Sequence, residues 1–241
     1  MTLVEILVVM VIMAVMMAVV VVGSGQSNNA RLRQGAALVT GAIRVGFSKS
    51  SARAKPLRLV FDFTANTLAL EESEDVMLLA KNDTTGTGGA AAMTELEQAA
   101  IAEGQSITKG PKAPRATFTP IDSTGFGVGT GGKAPKPLPK NIGFRSVHCE
   151  HDLEARTAQR AYLYFFPGGQ TERCVIQLGI GKASDVADDD RVPTGPDVPD
   201  VLSLVISPLT GKVVIKPGAL ELELPEDDKA ASEREEPGGT L

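Results

Sequence analysis

The chain has 241 residues, with 24 Lys and Arg against 29 Asp and Glu, a net charge of −5 and a pI near 5.2. That balance argues against gripping a nucleic-acid backbone as the main task, which needs a clustered positive surface. There is no Trp, and aromatics are 4% of the chain, so base-stacking and sugar-binding platforms are poorly supplied.

The N-terminus reads Met1-Thr2-Leu3-Val4-Glu5, and Ile6 through Val22 follows without one polar side chain. At ~1.5 Å per residue such a run is long enough to cross a bilayer as a helix, so residues 1–22 are expected to be a transmembrane half-helix. A carboxylate inside such a segment costs ~2.5–3.5 kcal/mol, which marks Glu5 as a functional candidate. Its natural partner is a cation at the same depth, and the run offers only the α-amino group of Met1. One helix cannot easily fold that amine back onto its own Glu5, whereas a neighbouring copy shifted along the axis can supply it. A signal peptide would carry a positive n-region, but the first basic residue is Arg31.

This N-terminus resembles the mature start of type IV pilins and of their secretion-system relatives, the pseudopilins. The family motif is Phe or Met, then Thr-Leu-Ile/Val-Glu, then an apolar helix, and Met1 stands where Phe is usual. The resemblance implies a numbering that begins after leader removal, cleavage before Met1 by a prepilin peptidase, and methylation of the Met1 amine.

Gly23, Ser24 and Gly25 mark a soft point. Beyond them Ala30, Leu32, Ala36, Leu38, Val39, Ile43 and Phe47 recur at helical spacing, with Arg31, Arg33, Gln34 and Arg44 as the polar complement. Residues 23–55 are therefore expected to be an amphipathic half-helix, ended by Pro56.

A β-rich head is expected over 56–225. Leu57, Leu59, Phe61 and Phe63 alternate on one strand face; Thr64-Ala65-Asn66 turns the chain, and Thr67 to Leu70 runs back. Residues 73–141 read as a loop-rich insertion. It holds an acidic opening, a low-complexity loop over Thr84–Gly89, and a short helix near Ala90–Ala102 with Thr94 and Glu97 placed for a capping box. A basic Pro/Gly-rich stretch follows, around a candidate strand at Ala116–Thr119. Strands return at Ile142–Val147 and Arg160–Phe166. After the turn Pro167–Gln170, Arg173–Leu178 is expected to pair back on the preceding strand as a hairpin. Val201–Ser207 and Lys212–Lys216 form the last pair, and 226–241 reads as a disordered acidic tail.

Phe166-Pro167-Gly168-Gly169, and later Ser207-Pro208-Leu209-Thr210-Gly211-Lys212, resemble the head of H-type minor pseudopilins of type II secretion and of the related FimT/FimU-type minor pilins. The resemblance implies an α+β fold: a long pilin-type helix, transmembrane in its first half, packed against antiparallel sheets. It implies a filament subunit or adaptor in a periplasmic pseudopilus that supports export of folded proteins. Its partners would be other pseudopilins through the helix, the inner membrane, prepilin peptidase and the assembly platform. The placement would be single-pass in a bacterial inner membrane, with the head in the periplasm. The alternative is a minor pilin of a type IV pilus, serving pilus assembly, motility or DNA uptake. The acidic tail favours secretion, and the one basic cluster, Lys109, Lys112, Arg115, Lys133, Lys136 and Lys140, reads as a solvated loop.

Cys149 and Cys174 are the whole cysteine inventory; an even pair in an extracytoplasmic domain suggests one disulfide. His148-Cys149-Glu150-His151 looks like a metal cluster but lacks four convergent ligands, and an exposed loop is expected there. Gly125–Gly129 lacks the strand-to-helix setting of a phosphate loop, and Asp188–Asp190 lacks the spacing of a calcium loop. No catalytic arrangement is legible, so no enzyme activity, metal or cofactor is expected.

Overall fold

The computed structural model describes residues 3–80, 85–107, 115–121, 134–181, 195, 198 and 200–222, with backbone alone at 17–27 and 107. Helix α1 (Leu3–Arg53) runs through the Gly23–Gly25 stretch and stops three residues before Pro56, with Ala54 in the left-handed region at φ 53°. Leu32, Ala36, Val39, Ala42 and Ile43 are buried at i, i+3, i+4 spacing. That stripe lies against strands of two sheets.

Strands β1 (Leu57–Asp62) and β2 (Thr67–Ser73) form the expected hairpin, with Asp62 Oδ1 accepting from the Ala65 backbone N–H across the turn. β3 (Phe118–Pro120) and β4 (Lys136–Pro137) both pair with β2. β6 (Arg160–Phe166) pairs with β1 in antiparallel register, Leu59 facing Leu163, and β7 (Gln170–Thr171) closes that sheet. The second sheet has the order β10-β9-β8-β5, from β5 (Ile142–Cys149), β8 (Cys174–Ile180), β9 (Val201–Ile206) and β10 (Val213–Pro217). Both sheets are antiparallel, and their inner faces share one core with α1: Leu59, Phe61, Leu163, Phe165, Phe144, Ile176, Leu178 and Leu204 all belong to it. Each such side chain contributes about 1.5–3 kcal/mol on burial. In the turn between β9 and β10, Gly211 sits at φ 59° directly against the Phe47 ring, where a Cβ would stand 2.6 Å from Cδ2; Gly alone fits this turn onto α1.

The expected class, α+β with a pilin-type helix crossing a membrane, is corrected. Among the described residues, no helix is long and apolar enough to cross a membrane. The transmembrane half, the single-pass inner-membrane placement and the periplasmic head that rested on it are withdrawn. By its elements the described chain is mostly β, ten strands in two antiparallel sheets with α1 laid across them.

A second correction concerns the expected hairpin of β6 with Arg173–Leu178. The return on β6 is only the two residues of β7; the chain then crosses to the other sheet, where β8 lies between β5 and β9. Alternation shows which side chains face inward, and Leu163 and Ile176 do both enter the core. It does not show whether two such strands pair edge to edge or stack face to face.

The described residues of the insertion hold regular structure. Helix α2 (Glu95–Ile107) begins at Thr94, whose Oγ1 accepts from the Glu97 N–H at 3.2 Å while Glu97 Oε2 accepts from the Thr94 N–H at 3.1 Å. This is the expected capping box, on a helix shifted toward the C-terminus. Thr94→Ala should destabilise the head by about 1 kcal/mol in urea unfolding; an unchanged midpoint would show that the cap does not hold α2.

Candidate functional site

Two features stand out: an uncovered apolar helix segment, and a polar layer sealed beneath the insertion. In the first, every residue from Leu3 to Met16 is exposed, with Leu3 at 80%, Met10 at 68% and Met16 at 67%. A contiguous apolar surface of this kind marks an interaction site. Glu5 is exposed and is the only ionisable side chain along it. Met1, the expected partner in assembly and site of methylation, lies outside the described residues.

The polar layer forms because β1 has two faces. Leu57, Leu59 and Phe61 enter the main core, so Arg58 and Val60 point the other way, under the insertion. Val60 joins Tyr162, Tyr164, Phe118, Met77, Ala90 and Ala116 in a second apolar cluster. Arg58 is fully buried among them. It stands directly opposite Glu71 on one side and Tyr164 on the other. Its Nε donates to Glu71 Oε2 at 2.7 Å, and its guanidinium lies 4.4 Å and 4.3 Å from the ring centroids of Phe118 and Tyr162. Burial works against the Arg58 charge, but Tyr164 and Glu71 outweigh it and hold its pKa above the ordinary value. Such a site suits Arg, whose planar cation stacks on rings while its Nε–H binds a carboxylate.

Two hydroxyls pin the insertion to this layer. Tyr162 donates to Glu97 Oε1 at 2.5 Å, joining β6 to α2, and Tyr164 donates to the Thr87 carbonyl. Burial raises both phenol pKa values, with Glu97 adding to the shift at Tyr162. Arg115, one of the basic cluster, donates to Thr87 Oγ1 at 3.0 Å and to the Ala90 carbonyl at 3.1 Å, so it braces the fold. Lys136 lies on β4 and Lys140 is exposed, while Lys109, Lys112 and Lys133 lie outside the described residues.

Cys149 and Cys174 face each other across β5 and β8 and form one disulfide, both fully buried. The adjacent histidines depart from the expected exposed loop. His148 is half-buried, its pKa lowered by burial, and His151 is completely buried. Among the described residues, no group of three or more His, Cys, Asp or Glu could hold a metal ion. Gly125–Gly129, Asp188–Asp190 and the 226–241 tail lie outside the described residues.

Sequence reading missed the Arg58 layer and the burial of His151. Arg58 alternates with core residues, which alone reads as a solvated face. The signal lay in Tyr162 and Tyr164, the chain's only tyrosines, set on the outward face of a strand next to β1.

Comparison with family models, with curated proteins and with solved structures finds no match.

Proposed function

We propose that this protein is a subunit or adaptor of a pseudopilus-like filament that supports export of folded proteins, in the manner of a minor pseudopilin of type II secretion. The observation that carries the proposal is the uncovered apolar segment Leu3–Met16 with the single carboxylate of Glu5 upon it, continuous with the Met1–Glu5 motif.

An exposed apolar helix is covered most readily by other apolar helices. In such a bundle Glu5 is removed from water and needs a cation, and the α-amino group of a neighbouring subunit is the fitting one. The carboxylate then selects axial register more than it adds net stability. Two sheets clamp the other end of the same helix, so the head fixes which surfaces meet the next subunit. A single disulfide in the head suits an oxidising compartment.

Glu5→Leu tests this. The substitution leaves a neighbour's ammonium unpaired, a loss of about 3 kcal/mol, or roughly two orders of magnitude in association. Co-purification with partner subunits and export of substrate should both fall, while the head keeps its unfolding midpoint. Undiminished assembly in Glu5→Leu would refute the proposal.

A further inference from the structure

His151 follows β5 and is fully buried, with a carboxylate at each ring nitrogen. Nδ1 lies 2.6 Å from Glu172 Oε2, and Nε2 lies 3.5 Å from Asp152 Oδ2. Both carboxylates are themselves buried, at 3% exposure. Glu172 Oε1 also accepts from the Tyr164 N–H at 2.9 Å, and Asp152 Oδ1 accepts from Arg156 Nε at 3.1 Å. A neutral imidazole has one N–H and one lone pair, so it would turn a lone pair toward one of the two carboxylates. The imidazolium donates from Nδ1 to Glu172 and holds its positive charge at ion-pair distance from Asp152. It also balances the charges: His151 and Arg156 against Glu172 and Asp152. A neutral ring leaves a net negative charge sealed in the protein, which is costly.

The remaining charged groups do not replace that cation. His148, on β5, loses basicity through burial. Arg58 lies beyond Tyr164 and is paired with Glu71. Glu150 and Arg173 flank the disulfide at the strand ends, joined there through their backbones.

The insertion rests on this ring. Tyr164 meets His151 edge to face at 5.3 Å between centroids. Gly88 lies so close above both rings that a Cβ would stand 2.8 Å from Tyr164 Cε2 and 3.0 Å from His151 Cδ2. The neighbouring Thr87 carbonyl receives the Tyr164 hydroxyl.

We propose that His151 is a buried imidazolium whose proton locks residues 85–91 onto the head, making that segment a pH-sensitive closure. A histidine stabilised as a cation contributes fully below the pH at which a free histidine loses its proton, about 6.5. Its contribution is lost as pH rises through the folded-state value. Deprotonation then leaves the buried Glu172 and Asp152 carboxylates short of one balancing cation, and water reaches them by lifting 87–88 from the ring.

The chain has only two histidines, so ring-proton NMR of the wild-type protein resolves both, with His148→Gln assigning them. His148 should lose its proton below the ordinary histidine value, and His151 should still hold its own above it. Amide protection factors at 85–91 should fall about tenfold or more across the His151 titration while those of β1 and β6 stay constant. Glu172→Gln should move the His151 titration downward. A His151 ring that is neutral at about pH 6.5, or protection at 85–91 that is indifferent to its titration, would overturn the proposal.

Discussion

Arg58→Ala should destabilise the head by about 3–5 kcal/mol, the usual cost of removing one partner of a buried ion pair. Arg58 is fully buried against Glu71, which is itself 5% exposed. Truncation strands the Glu71 carboxylate and empties the space between the Phe118 and Tyr162 rings. The loss therefore combines an uncompensated charge with a cavity. Replacing both members by apolar residues, Arg58→Met with Glu71→Leu, should recover most of it, because an apolar pair carries no desolvation cost. Urea unfolding followed by near-UV circular dichroism suits the test. The chain has no Trp, and both tyrosines sit in this layer. A loss below about 1 kcal/mol for Arg58→Ala would place the pair with surface salt bridges and contradict the structural account.

The disulfide carries the second large effect. Cys149 and Cys174 are 25 residues apart, and their bond encloses β6 and β7 of the other sheet. The cross-link therefore ties together the point where the chain passes from one sheet to the next. In the chain-entropy account, closing a loop of this length stabilises by about 3–4 kcal/mol. Cys149→Ala with Cys174→Ala should lose about that amount, seen as a lower urea midpoint and faster amide exchange at the paired ends of β5 and β8. A double variant within about 1 kcal/mol of the parent would show that β5 and β8 are held by pairing and packing alone.

The helix stripe Leu32–Ile43, the β1–β2 hairpin, the β9–β10 pair and the Thr94–Glu97 box were legible because each depends on local periodicity or a four-residue motif. The partner of β6 was not, since the Leu59–Leu163 pairing spans the whole insertion. The membrane span expected over residues 1–22 came from the hydropathy of the run and from the pilin resemblance. The candidate site divides in the same way. Glu5 is conspicuous because one charge interrupts an apolar run. Arg58 and His151 are concealed because their burial comes from Phe118, Tyr162, Gly88 and Glu172, distant in sequence. The Thr84–Gly89 loop shows the limit of composition: residues 85–88 are buried, although the stretch reads as low-complexity loop.

The most direct test of the proposed role is photocrosslinking in the producing cells from a probe at Val11, an exposed position on the apolar segment, with partners identified by mass spectrometry. The account predicts crosslinks to secretion pseudopilins that vanish when Glu5→Leu is introduced. Crosslinks to the major subunit of a surface fibre, or a pattern unchanged by Glu5→Leu, would contradict it.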